Sequence, residues 1–298
     1  MKQVTAYFEL ALARIIVGSS VVFGKLAIAN FPVFLASEIR FIISCLILVS
    51  LLYKFEGGLK GITPKEWLLL FLQALTGTFL FNVLLLYGLK FTSATEGGII
   101  TSTTPAVVGV ISFLFLKERL TTKKGIGITL TVLGILALDV LGNAIEGERG
   151  SLPLLGNLLI FGAVLGESLF IIFQKILSKT VSPLATATVV SLWGLLMFLP
   201  VSIYEAGSFD FSITRPLDWL AIVYLAVFLT VIAFLLWFHG VTYVPASTAA
   251  VFTGFMPISG VLLSYLILQE PFSWTHILGV LCVLLGIGFI TRPDRLTG

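Results

Sequence analysis

Charge is what this sequence has least of: 11% of its 298 residues are Asp, Glu, Lys or Arg, against roughly 25% in an ordinary soluble domain. No polar stretch is long enough to form a separate water-facing domain. Cysteine is almost missing too, and Cys45 and Cys282 both lie inside apolar runs, where they read as small core residues and not as a disulfide or a metal pair. With two histidines in the chain and no carboxylate at ligand spacing from either, a metal site is not expected. The sequence also has no GxxxxGK loop, no HExxH and no GxSxG, which removes the common phosphate-binding, metalloprotease and hydrolase chemistries. No cofactor and no enzymatic activity are expected. The net charge of +3 is too small to suggest a nucleic-acid partner.

What is present is apolar sequence. Hydrophobic residues make up 58% of the chain and its mean hydropathy is +1.09, values that suit lipid as the solvent. A helix needs about 20 apolar residues to cross a hydrocarbon core of about 30 Å. Cutting at polar, Pro and Gly punctuation predicts ten spans: Thr5 to Ala29, Val33 to Tyr53, Trp67 to Leu89, Thr95 to Leu116, Gly125 to Leu141, Leu154 to Ser178, Pro183 to Tyr204, Leu217 to His239, Ala246 to Leu268 and Thr275 to Thr291. The runs do not alternate as barrel strands do. The fold class expected is therefore an all-α integral membrane protein. Ala27-Ile28-Ala29 resembles a signal-peptidase site, but the stretch before it is overlong and broken by Glu9 and Arg14, so it reads as the first span.

Ten spans put both ends of the chain on one side. If that side is cytoplasmic, the inner segments carry twelve Lys and Arg, and the outer loops carry three, Lys90, Arg149 and Arg215. The bias places both termini in the cytoplasm, in what is expected to be a bacterial inner membrane.

The sequence also repeats. Laying residue n over residue n+152 without a gap superposes Pro64, Trp67 and Leu68 on Pro216, Trp219 and Leu220, then Gly88 on Gly240, Ala94 on Ala246, Thr101 on Thr253, Pro105 on Pro257, Ser112 on Ser264, Glu118 on Glu270, Gly127 on Gly279 and Gly134 on Gly286. Hydrophobic similarity alone would not align Pro, Trp, Gly and Glu together. Two five-helix units follow, residues 1–145 and 150–298. Because five is odd, the second enters the membrane inverted, an arrangement found in secondary transporters.

Several residues are candidates for chemistry. Pro105 and Pro257 fall near the middles of spans four and nine, where a proline frees a backbone carbonyl; that is tolerated only beside protein or a water-filled cavity. Thr101, Ser102, Thr103, Thr104 and Thr253 flank them and are candidates to line such a cavity. Arg14 and Glu167 are the deepest ionisable groups. Each costs about 2.5 to 3.5 kcal/mol near a helix centre on insertion scales, and at 1.5 Å per residue both reach similar depths in spans one and six. At those depths the two can meet, and the roles open to them are a solute-splitting pair, a proton-binding Glu167, or a static packing pair. Lys25 and Lys175 lie near span ends, where snorkelling is the simpler role. Glu38 and Arg40 are two residues apart and so need separate partners; Arg40 with Lys25 forms a candidate outer vestibule for a carboxylate. Glu96 suits a helix N-terminus. Asn82, Tyr87, Trp237, Phe238 and His239 occupy matching stretches of spans three and eight. Interfacial belt is the simpler reading of these, with Asn82 and Trp237 kept as cavity candidates. Gly127 with Gly134, and Gly279 with Gly286, permit close helix approach in spans five and ten, inside the bundle or in a homodimer.

These residues carry a resemblance. Gly18-Ser19-Ser20 to Lys25, Leu35-Ala36-Ser37-Glu38-Ile39-Arg40-Phe41, Gly88-Leu89-Lys90-Phe91-Thr92-Ser93-Ala94, Pro105, Lys117-Glu118-Arg119-Leu120-Thr121 and Gln269-Glu270-Pro271 resemble the motifs of the drug/metabolite transporter superfamily, EamA type. Val17 stands where a tryptophan is usual, and Glu38 is an uncommon charge. The resemblance implies ten helices and a central cavity walled mainly by spans one, three, four, six, eight and nine, which adds Ser19 and Ser20 to the cavity candidates. Export or exchange of small metabolites, amino acids foremost, is the implied activity. A multidrug or nucleotide-sugar-like carrier is the alternative within transporters; a channel or a scaffold is the alternative outside them.

Overall fold

The computed structural model describes residues 2–27, 29–59, 61–91, 100–101, 103–119, 121–137, 152–268 and 274–291. Within them the chain is helical, in α1 (Lys2–Ala27), α2 (Val33–Glu56), α3 (Pro64–Ala74), α4 (Phe81–Phe91), α5 (Thr104–Leu116), α6 (Thr122–Leu136), α7 (Pro153–Leu177), α8 (Pro183–Ser208), α9 (Pro216–Tyr224), α10 (Ala233–Tyr243), α11 (Ala246–Val251), α12 (Phe255–Leu268) and α13 (Trp274–Thr291). Among the described residues seven helices are long and apolar enough to cross a membrane: Lys2–Gly24, Val33–Glu56, Pro64–Leu85, Leu154–Leu177, Pro183–Ser208, Pro216–Tyr243 and Ala246–Ile267. The predicted spans four, five and ten appear as the shorter helices α5, α6 and α13. Predicted span four is shortened because its helix begins anew after a turn at Thr103, and its start at 95–99 lies outside the described residues.

The surface is inverted relative to a soluble protein. Phe8, Leu46, Leu114, Phe115, Leu154 and Leu278 are all exposed, whereas Gln73, Gln174, Ser168 and Thr131 are fully buried. Large apolar exposure of this kind is a membrane surface. The buried polar groups pair across helices. Gln73 Nε2 donates to Gln174 Oε1 at 3.0 Å, and Ser44 Oγ reaches the Ala226 carbonyl at 3.1 Å.

Helix starts follow local chemistry. Thr63 and Glu66 form a capping box before α3, where Pro64 takes a position whose missing N–H costs nothing. Glu205, near the end of α8, accepts from the Leu35 N–H at the start of α2 (2.7 Å). Reciprocally Glu56, at the end of α2, accepts from Ser182 Oγ, the N-cap of α8 (2.7 Å). Each helix of this pair thus ends on a carboxylate aimed at the other's positive N-terminus.

The packing partners form a regular set. α2 lies on α8, and α6 on α13. α1 packs on α10 and α12, while α7 packs on α4 and α5. Exchanging the first half of the chain for the second maps this set onto itself. Two π-helical stretches obey the same exchange. Leu75–Leu80 joins α3 to α4, and Leu225–Ile232 joins α9 to α10; shifted by 152 residues, the first falls within the second. Side chains fill carbonyls that these wide turns release: Asn82 Nδ2 donates to Thr78 O at 2.6 Å, and Thr230 Oγ1 to Leu225 O at 3.4 Å.

The small-residue stripes meet within one chain. A Cβ on Gly134 would stand 2.7 Å from the Gly279 carbonyl, and one on Gly286 would stand 2.7 Å from the Gly127 carbonyl. The close approach permitted by these glycines is thus spent on joining α6 to α13. A homodimer through these two helices would have to use their other faces.

Candidate functional site

Four predicted residues from four separate spans converge. Arg14, halfway along α1, is 7% exposed, and its Nη1 lies 3.4 Å from Glu167 Oε1 on α7. Its guanidinium carbon sits 3.8 Å from the ring centroid of Trp237 on α10. Thr104 Oγ1, at the first turn of α5, lies 3.3 Å from the other carboxylate oxygen of Glu167. The same hydroxyl is 2.9 Å from the Thr101 carbonyl, so its one hydrogen serves one acceptor or the other.

The physical logic is compensation. A guanidinium in hydrocarbon needs a counter-charge, and Glu167 supplies it; the aromatic face adds a cation–π contact, about 2 kcal/mol or more when desolvated. The Arg14 and Glu167 side chains are 8% and 21% exposed, so the pair is poorly screened. Compensation is nevertheless incomplete. Arg14 Nε and Trp237 Nε1 are buried donors with no hydrogen-bond acceptor among the described residues. An unpaired buried donor costs about 1 to 3 kcal/mol, so each of these two N–H groups would gain from an acceptor.

Other predicted residues behave differently. The prolines do not kink the middle of a continuous helix. Pro105 stands in the first turn of α5 after the turn at Thr103, and Pro257 in the first turn of α12 after a 3-10 turn, Phe252–Gly254. A proline there interrupts nothing, and the Thr104 hydroxyl is within reach of the Thr101 carbonyl four residues before Pro105. Thr253 is buried and donates to the Ala250 carbonyl at 2.6 Å. Asn82 is exposed, and its amide closes onto its own helix instead of entering the cluster. Ser19 donates to the Ile16 carbonyl and lies 2.9 Å from the Tyr224 hydroxyl. The Lys25 and Pro257 side chains, together with Ser102 and Glu96, lie outside the described residues. Ser20 and Arg40 line a separate cavity of about 170 Å³ between α1, α2 and the second π-helical stretch. Trp237 and Phe238 are buried, at 4% and 0% exposure, which removes them from the interfacial belt.

Three further groups carry contacts that sequence alone did not assign. Glu118, after α5, receives the Ala246 and Ser247 N–H groups (2.7 and 3.2 Å) and the Ser247 hydroxyl (2.6 Å), and so caps α11. Lys124 Nζ braces the joint, 3.1 Å from Ser247 Oγ and 3.8 Å from Glu118. His239 Nδ1 pairs with Glu9 Oε2 at 2.7 Å across α1 and α10. Lys175 Nζ does not snorkel outward but donates to the Val241 and Thr242 carbonyls at the end of the neighbouring α10, where a cation meets the negative end of that helix. The repeated Glu in the 152-residue register and its place in the Lys117-Glu118-Arg119-Leu120-Thr121 motif were the available signals for Glu118.

A buried, incompletely compensated charge cluster inside an apolar-surfaced helical bundle fits a membrane protein that handles a polar solute, and comparison with known proteins supplies the family. Residues 4–138 and again 154–292 match the EamA-like transporter family. The chain belongs to that family. The "Uncharacterized transporter YetK" of Bacillus subtilis (strain 168) is 48% identical over 98% of this chain and 90% of its own length. The "Uncharacterized transporter YyaM" of the same organism is 25% identical over 96% and 93%. A solved crystal structure superposes with a TM-score of 0.80 over 96% of both chains at 17% identity, a likeness of fold. This EamA-like protein is thus a multi-pass membrane transporter and not an enzyme, in agreement with the motif resemblance.

Proposed function

We propose that the protein is a secondary transporter that exports or exchanges small metabolites, amino acids foremost, by alternating access of two inverted five-helix units, residues 1–145 and 150–298. The observation that carries the amino-acid reading is the cluster at Arg14. It offers a carboxylate, Glu167, to a solute ammonium, and two unpaired N–H donors, Arg14 Nε and Trp237 Nε1, to a solute carboxylate. A zwitterion is complementary to that set. Arg14 and Glu167 also stand 153 positions apart in sequence, one residue off the repeat spacing, which supports a position near an axis relating the halves. Binding sites on that axis are characteristic of inverted-repeat carriers. The self-mapping packing pairs and the matched π-helical stretches support the inversion. The Lys and Arg bias supports cytoplasmic termini and a bacterial inner membrane.

The test is counterflow in proteoliposomes preloaded with mixed amino acids, comparing wild type with Glu167→Gln at two pH values. Saturable exchange of an amino acid, lost or made pH-insensitive in the variant, is the expected outcome. Saturable exchange untouched by the substitution would reduce the pair to packing. Absence of exchange across the amino-acid panel would direct attention to drugs and nucleotide sugars, non-saturating flux to a channel.

A further inference from the structure

Arg40 is the cation that the Arg14 cluster does not use. It lies on α2, seven residues after the helix begins, with its Nε buried and without an acceptor among the described residues. Its guanidinium carbon stands 4.6 Å from the ring centroid of the adjacent Phe41, and no ion pair or hydrogen bond compensates it among the described residues. Glu38 cannot do so. Two residues apart on a helix point about 200° away from each other, and both carboxylate oxygens of Glu38 are themselves buried without a partner.

Arg40 faces space instead. The cavity of about 170 Å³ beside it is walled by Ser20, Gly24, Ser37, Leu225 and Leu229 among others. Two of these walls are hydroxyl-bearing, and two belong to the second π-helical stretch, a conformation that often marks functional positions. The volume exceeds what one water occupies by several-fold and suits a carboxylate with a small substituent. Ser20 lies six residues beyond Arg14 on α1, roughly 9 Å along the helix, so this cavity and the Arg14 cluster are successive stations beside one helix.

We propose that Arg40, with the Ser20 hydroxyl, forms a second, carboxylate-binding subsite of the transporter, distinct from the Arg14 cluster. The proposal extends the amino-acid reading but does not need it, because anion binding can be read without transport. Acetate is the probe. Purified full-length protein in detergent micelles is unfolded thermally in sodium acetate, and in sodium chloride with acetamide at matched ionic strength. Acetate is expected to raise the wild-type midpoint by about 2 to 4 °C over the control. Arg40→Gln should abolish the rise and Arg40→Lys should keep part of it. Ser20→Leu, which fills the cavity and spares the guanidinium, should abolish it as well.

A rise retained in Arg40→Gln and Ser20→Leu would assign acetate to another site and overturn the proposal, as would no rise in the wild type. Repetition in phosphatidylcholine nanodiscs with and without phosphatidylglycerol separates a solute carboxylate from a lipid phosphate. Loss of the Arg40-dependent rise only when phosphatidylglycerol is present would give the site to a headgroup and overturn the solute assignment. An Arg40-dependent rise in protein that exchanges no amino acid would keep the subsite and sink the amino-acid reading. Where exchange is measured, Arg40→Gln should raise KM for a carboxylate solute at least tenfold and leave KM for its amide unchanged.

Discussion

At the scale of single residues, the cost of ionisable groups in hydrocarbon was the most informative signal. It singled out Arg14 and Glu167, which pair at 3.4 Å, because a charge at that depth has few ways to be tolerated. Removing one member leaves the other uncompensated. Arg14→Gln is expected to destabilise the protein by about 3 to 5 kcal/mol, with the Arg14→Gln, Glu167→Gln double variant recovering much of that loss. The measurement is a denaturant titration in mixed micelles, and additive single effects would show that the pair is not coupled. Counterflow on the same proteins should find exchange lost in all three. What could not be read from sequence was direction. Asn82 and Trp237 are both cavity candidates by sequence, yet one side chain closes onto its own helix and the other turns inward over a guanidinium, a choice set by helix rotation and not by residue type. The partner of His239 was equally hidden, since Glu9 lies 230 positions away.

At the scale of elements, long apolar runs were legible and irregularities within them were not. The predicted second span, Val33 to Tyr53, became Val33–Glu56, and the predicted seventh, Pro183 to Tyr204, became Pro183–Ser208; such ends slide by a few residues because capping, not hydropathy, stops a helix. The π-helical stretches left no trace in composition, because widening a turn by one residue changes no residue type. The prolines were read as kinks, whereas Pro105 and Pro257 open new helical segments after tight turns. Two predictions belong here. Gly134→Val places methyl groups where the Gly279 carbonyl and Val283 already stand and should cost about 1 to 3 kcal/mol, read as a lower unfolding midpoint, while Gly125→Ala, whose Cβ would meet nothing within 4 Å, should cost almost nothing. Glu118→Ala removes three hydrogen bonds from the start of α11 and should cost about 1 to 2 kcal/mol. Glu118→Gln, which still accepts, should recover part of it.

At the scale of the whole molecule, the repeat was the part of the fold most readily seen in sequence, because Pro, Trp, Gly and Glu recurred in one register of 152 residues. Its inversion rests on counting spans and on charge, and labelling can test the orientation that the charge implies for the second half. In a variant with Cys45 and Cys282 replaced by Ala, Lys179→Cys, in the turn before α8, and Gly207→Cys, near its end, mark its two sides, both exposed. A membrane-impermeant maleimide applied to right-side-out vesicles should modify Gly207→Cys alone, and modification of Lys179→Cys alone would reverse the orientation derived from the basic residues. The matched π-helical stretches, finally, say something about ancestry. A wide turn is one residue more than an α-helix needs. Had that residue entered one half after the chain was doubled, the halves would no longer align without a gap across it. They do, with Leu75–Leu80 falling inside Leu225–Ile232. One insertion that preceded a doubling of the chain would account for both stretches, without a second event.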